Sequence, residues 1–209
     1  MFSIIQAAGW PIWPLILCSI AALTIIVERI MSLMPRKVAP PTLLGEVMTL
    51  TRHGLPSSEV IGKLEANSVL GGVLAAGVRT AAQDPRADES TLRHAFEAAG
   101  RAAAHRLERY LNTLGTLASA APLLGLLGTV VGMIEIFGSQ SPGNSNPEQL
   151  AHGISVALYN TAFGLIIAIP ALMFYRYFRG QIDAYIVELE QAAETLLPQL
   201  LRMSATPRR

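Results

Sequence analysis

The sequence is poor in the residues that most chemistry needs. Its one cysteine, Cys18, lies in an apolar run, so no internal disulfide can form. The four histidines (His53, His94, His105 and His152) are scattered, and no Cys/His spacing fits a metal site. No Gly-rich phosphate loop and no nucleophile elbow is present. A basic, aromatic-interleaved patch of the kind that binds nucleic acid is also missing. An enzyme, a cofactor, a metal centre and a nucleic-acid partner are therefore not expected. Charge is scarce as well. Only 15% of the 209 residues are charged against 51% hydrophobic, and the mean hydropathy of +0.41 points to the membrane class.

What is present is apolar sequence in three blocks. Met1 to Val27 carries no charge, and Trp10 and Trp13 stand before the apolar run as an interfacial aromatic belt would. A cleaved leader fits badly, because there is no basic start and Glu28-Arg29 follows where small residues would be wanted. The first transmembrane helix is read as Ile12 to Leu33. After Pro35, Pro40 and Pro41 charges return, and a water-exposed helical section follows. The segment Asp84–Ser90 is a turn with several N-cap candidates. Beyond it Leu92, Phe96, Ala99, Ala103, Leu107, Tyr110 and Leu114 recur at helical spacing. No Gly or Pro separates that stripe from the uncharged run Tyr110–Ile134, so one long helix is expected from water into the membrane. After a polar loop, Gly138–Pro147, a third span runs from near Gln149 to Tyr175 and is closed by Arg176 and Arg179. Ile182, Ile186, Leu189, Leu196, Leu197 and Leu200 then continue a helical stripe as an amphipathic tail.

All 16 Lys and Arg residues lie between Arg29 and Arg109 or from Arg176 onward. Positive charge stays in the cytoplasm, so the N-terminus and the loop between spans two and three are expected outside.

The second and third spans hold more small and polar residues than lipid requires. Ala118, Ala121, Gly125, Gly128, Thr129 and Gly132 share one face, which Glu135 extends. In the third span Gly153, Ala157, Asn160, Thr161, Gly164, Ala168 and Ala171 share a face, with Val156 at its edge. Leu158, Leu165, Ile169, Leu172 and Met173 lie opposite. Gly125, Gly128, Gly132 and Gly164 are candidate helix-packing positions. Pro122 and Pro170 are candidates for shaping the helices. An amide in hydrocarbon needs a partner, which singles out Asn160. Periodicity alone leaves helix packing and an ion path both open.

Two motifs narrow the choice. Ala121-Pro-Leu-Leu-Gly-Leu-Leu-Gly-Thr-Val-Val-Gly-Met-Ile134 resembles the second-span signature of the ExbB/TolQ/MotA proton-channel family. Gly153-Ile-Ser-Val-Ala-Leu-Tyr-Asn-Thr-Ala-Phe-Gly-Leu-Ile-Ile-Ala-Ile-Pro-Ala171, with Tyr175, resembles its third-span signature. Three spans and an external N-terminus are more similar to the ExbB and TolQ branch than to the four-span MotA branch. The resemblance implies a homo-oligomer, a pentamer, around the transmembrane helices of an ExbD/TolR-like single-span partner. It also implies a TonB/TolA-like protein that transmits force, and a titrating aspartate on the partner's helix. Thr129 and Thr161 match threonines that face the family's lumen. Where ExbB proteins carry a glutamate in the third span this chain has Val156, which cannot relay a proton. Asn160 and Glu135 are the substitutes at hand.

The expected fold is an all-α integral membrane protein with three transmembrane helices, two of them extending into the cytoplasm as long helices, plus short cytoplasmic helices. Residues 1–34 would form the external N-terminus and first span, and 35–110 a cytoplasmic helical region. Residues 111–180 would form the channel region of spans two and three, and 181–209 a cytoplasmic amphipathic helix and tail. The expected function is a channel and scaffold subunit of a motor in the bacterial inner membrane, coupling the proton motive force to a TonB/Tol-like process. A MotA-like stator and a non-conducting membrane scaffold are the alternatives. The ion-path candidates are Thr129, Thr161, Asn160 and Glu135.

Overall fold

The computed structural model describes residues 10–52, 54–84, 86–138 and 147–204. The expected external segment 1–9, most of the joining loop (139–146) and the tail end 205–209 lie outside the described residues. Within them all regular structure is helical: α1 Ile12–Ser32, α2 Pro35–Val38, α3 Leu43–Arg52, α4 Ser58–Asn67, α5 Val69–Gln83, α6 Glu89–Leu107, α7 Leu111–Gly138 and α8 Pro147–Ser204. Three helical stretches are long and apolar enough to cross a bilayer: Ile12–Ser32, Glu89–Gly138 and Gly153–Met203. The protein is an all-α membrane protein with three spans.

The helices group into two compact units. The first joins the described residues of 1–29 and 110–177 and holds nearly all of α1, all of α7 and the first half of α8. They meet at Leu15, Ala121 and Ala168, with Leu124 and Ile167 alongside. Small residues at two of those three positions let the helix axes come close, which is how helices associate in lipid. The bulky residues turn outward. Trp13, Leu17, Ile20, Leu23 and Val27 on α1 are exposed, as are Leu158, Leu165, Ile169, Leu172 and Met173 on α8. A water-soluble protein could not carry so much outward apolar surface.

The long helix expected across Tyr110 is interrupted there. Residues 108–110 form a turn, and Tyr110 has φ 63°, the only non-glycine positive φ among the described residues. A side chain in the left-handed region costs about 1–3 kcal/mol and needs surroundings that hold it. Part of that hold is visible. Arg29 is 2% exposed, its guanidinium lies 5.7 Å from the centre of the Tyr110 ring, and it donates to both carboxylate oxygens of Glu28 at 2.5 and 2.7 Å. Cation–π contact and a two-point ion pair are the arrangements that make a buried guanidinium tolerable. The apolar stripe continues across the break without losing phase, so periodicity gives no sign of it.

The second unit comprises the described residues of 30–109 and 178–204. Its centre is α5, whose small and apolar residues (Leu70, Val73, Leu74, Ala75, Gly77 and Val78 among them) are buried almost all round. Ser68 starts α5 by accepting a hydrogen bond from the Gly71 amide at 3.0 Å. Helices α4 and α6 pack on α5, with Phe96 of α6 directly over Gly77. Asp88 is the N-cap of α6 and accepts from the Thr91 amide at 2.9 Å. The last part of α8 buries Phe178, Ile182, Leu189, Leu196 and Leu200. Two polar ties fix it: Tyr185 donates to the Leu33 carbonyl at 2.9 Å, and Gln199 Nε2 donates to the Met48 carbonyl at 2.7 Å.

Two measurements follow from these contacts. Gly77→Val would push into the Phe96 ring and destabilise the second unit by about 1–3 kcal/mol, read as a lower thermal midpoint in detergent. Hydrogen bonds from Thr91 and Ser90 hold the Asp88 carboxyl below the usual carboxylate range. The folded value is depressed, so the cap's stabilisation is complete above the unfolded value of about 3.9 and is lost as pH falls through the folded value. Asp88→Ala should therefore lower the midpoint at neutral pH and flatten its decline in acid.

Candidate functional site

The contact between α7 and α8 carries the candidate site. The two helices run antiparallel, pairing Gly115 with Tyr175, Ala121 with Gly164, Gly125 with Asn160 and Thr161, Gly132 with Ala157, and Ile136 with Gly153. From Gly115 to Ile136 is about 32 Å at 1.5 Å per residue, close to the roughly 30 Å hydrocarbon thickness of a bilayer. Glycine is what permits this seam. A Cβ on Gly125 would stand 2.7 Å from the Asn160 carbonyl oxygen, and one on Gly164 would stand 2.6 Å from the Ala121 carbonyl oxygen. Both distances are below any real carbon–oxygen contact, and the obstacle in each case is backbone.

Within the seam, nearer its Ile136–Gly153 end, the backbones are close enough for side chains to bond across it. Thr129 Oγ1 and Thr161 Oγ1 lie 2.5 Å apart. Thr129 Oγ1 is 3.2 Å from the carbonyl oxygens of both Gly125 and Ala157, and Thr161 Oγ1 is 3.2 Å from that of Gly125. Four oxygens thus share two hydroxyl protons. One proton must bridge the pair, and the other goes to a carbonyl. Either Thr129 donates to Thr161, which donates to Gly125, or the order reverses and Thr129 donates to Gly125 or Ala157. The chain can point in two directions with the same heavy-atom positions. Asn160 is 1% exposed, and its Cβ would meet a Cβ placed on Gly128 at 2.8 Å.

The structure therefore brings Thr129, Thr161, Asn160, Gly125, Gly128, Gly132 and Gly164 into one seam. Glu135 is exposed on the last turns of α7, and Val156 is half-buried on α8. Helix α7 continues through the half-buried Pro122, and α8 through the exposed Pro170. Two carbonyls, of Gly125 and Ala157, escaped sequence reasoning because backbone acceptors leave no mark on residue type. The Glu28–Arg29–Tyr110 cluster escaped it too, although a charged pair at the end of an uncharged run was a usable signal. Among the described residues no group of His, Cys, Asp and Glu could hold a metal ion.

Three apolar spans, a glycine seam of bilayer length and a hydroxyl cluster inside it define a multi-pass membrane protein whose spans pack for more than lipid contact. The model of the MotA/TolQ/ExbB proton channel family matches residues 65–191. An ExbB-like biopolymer transport protein of Synechocystis is 33% identical over 178 residues, covering 84% of this chain and 83% of the relative. The biopolymer transport protein exbB1 of Vibrio cholerae is 30% identical over 169 residues, 80% of this chain and 74% of the relative. ExbB of Salmonella typhimurium is 41% identical over 92 residues, 43% of this chain and 36% of the relative. The chain belongs to the MotA/TolQ/ExbB proton channel family, and its named relatives are of the ExbB kind.

A double-mutant cycle tests the seam. Thr129→Val and Thr161→Val should each cost about 1 kcal/mol, and the double variant should cost less than their sum, because either change alone breaks the shared bond. Gly164→Val should be the most damaging of the set, since a carbonyl oxygen stands where its side chain would go.

Proposed function

We propose that the chain is the channel and scaffold subunit of an ion-driven motor in the bacterial inner membrane, coupling the proton motive force to a TonB/Tol-like transport or envelope process. In this reading several copies, a pentamer, surround the helices of an ExbD/TolR-like single-span partner, and a TonB/TolA-like protein carries the force onward. In the same reading the N-terminus and the 139–146 loop face the periplasm, and 35–110 and 181–209 face the cytoplasm, which the placement of Lys and Arg supports. Residues 1–34 supply the outer end and first span, and 111–180 the channel region. The work at stake is about 2.3 kcal/mol per charge per 100 mV crossed.

The observation that carries this reading is the oxygen cluster at Thr129 and Thr161, inside a seam as long as the bilayer is thick and about two-thirds of the way along it from Gly115. A hydroxyl chain that can run in either direction can pass a hydrogen bond along, but it cannot store a charge. Val156 offers no carboxylate, and Glu135 is an exposed group near the end of α7. The charge-binding group is assigned to the partner's helix, with Thr129 and Thr161 as polar neighbours, Asn160 buried behind them in the seam and Glu135 at the outer approach. Val156 also favours the second reading, a membrane scaffold that does not conduct.

One experiment separates the two. Thr161→Val and Asn160→Leu, each expressed with the partner subunit, should lower ion-driven activity at least tenfold, about 1.4 kcal/mol in the rate, while the oligomer stays intact. Unchanged activity in both would leave the scaffold reading standing.

A further inference from the structure

The second unit has a groove that its own helices do not fill. A cavity of about 520 Å³ lies between α6 and α8, floored by Val73, Phe96, Ile186, Leu189 and Leu197. Its α6 wall is low, because Gly100 and Ala104 stand there, and a Cβ on Gly100 would meet nothing within 4 Å. The rim is acidic on balance. Arg93 is engaged by Glu89 at 2.9 Å and Glu194 at 3.7 Å, and Arg101 by Glu97 at 3.7 Å. Glu190 lines the same groove and forms no ion pair among the described residues.

Roughly half a turn round α6 from that wall is a face of the opposite kind. Ala98, Ala102 and Arg106 are exposed there at four-residue steps, with Arg109 beside them. The alanines would let another helix come close, and Arg106 forms no ion pair among the described residues. The groove is apolar-floored with excess negative charge, and the back of α6 is small with excess positive charge.

We propose that the α6/α8 groove of one copy seats the back of α6 from a second copy, with Arg106 of the incoming helix beside Glu190. The two patches differ, so the contact is heterologous, and such contacts repeat into a closed ring or a filament rather than stopping at a pair. This inference rests on the homo-oligomer reading above and specifies where in the second unit the copies touch.

Cross-linking tests it on the full chain in membranes, in a Cys18→Ser background. Arg106→Cys with Glu190→Cys in one chain, treated with a short bis-maleimide, should give a ladder extending beyond the dimer. Each single variant should give no ladder, and co-expression of the two singles should stop at a dimer. Separately, Glu190→Arg should weaken assembly about threefold to tenfold by native mass spectrometry in mild detergent, and adding Arg106→Glu should restore it. If native spectra show an oligomer but the double-cysteine variant gives no ladder, the proposed contact is wrong and the oligomer reading survives. If the unaltered chain is monomeric, the oligomer reading falls and takes the contact with it. Products joined only to a different protein would overturn the second copy as occupant, in favour of a foreign basic helix.

Discussion

The membrane unit depends on the distance between two backbones. Lipid gives helices no hydrophobic reason to associate, so α7 and α8 are held by close packing and whatever hydrogen bonds that closeness permits. Gly125, Gly128 and Gly164 remove the side chains that would keep the helices apart. Only then can Thr161 reach a carbonyl on the facing helix and the two threonine hydroxyls meet at 2.5 Å. The polar cluster is thus a product of the packing. A wider seam would return each hydroxyl to its own helix, where it could do no more than bond one turn back.

The second unit solves the ordinary problem of a domain in water, and its devices differ accordingly. Side chains cap its helices, as Ser68 and Asp88 do for α5 and α6. A helix buried on nearly every side occupies the centre, and at its Gly77 a ring rather than a backbone fills the space above the glycine. Its ion pairs are exposed and individually weak, so they set charge pattern more than stability. That pattern is uneven around α6, which leaves the acidic groove and the cationic back as separate surfaces.

Much of this was legible in the sequence because membrane physics is severe. Three apolar blocks could hardly be anything but spans, and the small face drawn for the third span contains Ala157, Asn160, Gly164, Ala168 and Ala171, all buried, while its bulky opposite face is exposed. The break at Tyr110 was not legible. Neither Gly nor Pro marks it, the apolar stripe keeps its phase across it, and its support includes Arg29, far away in sequence. The central role of α5 was equally hidden, since a helix buried all round shows no polar face to define its period. At the seam, residue types pointed to Thr129 and Thr161, whereas the acceptors from Gly125 and Ala157 are backbone atoms that every residue possesses.

The nature of the obstacle at each glycine has a consequence for how the chain can change over generations. At Gly77 the neighbour is the Phe96 side chain, so a larger residue at 77 could be accommodated by a smaller one at 96, and the two positions are free to drift together. At Gly125 and Gly164 the neighbour is a carbonyl oxygen. No substitution elsewhere removes a carbonyl, so these positions have no partner with which to trade volume. They are fixed without being coupled, and a search for paired substitutions would pass over the contact that brings the two hydroxyls together.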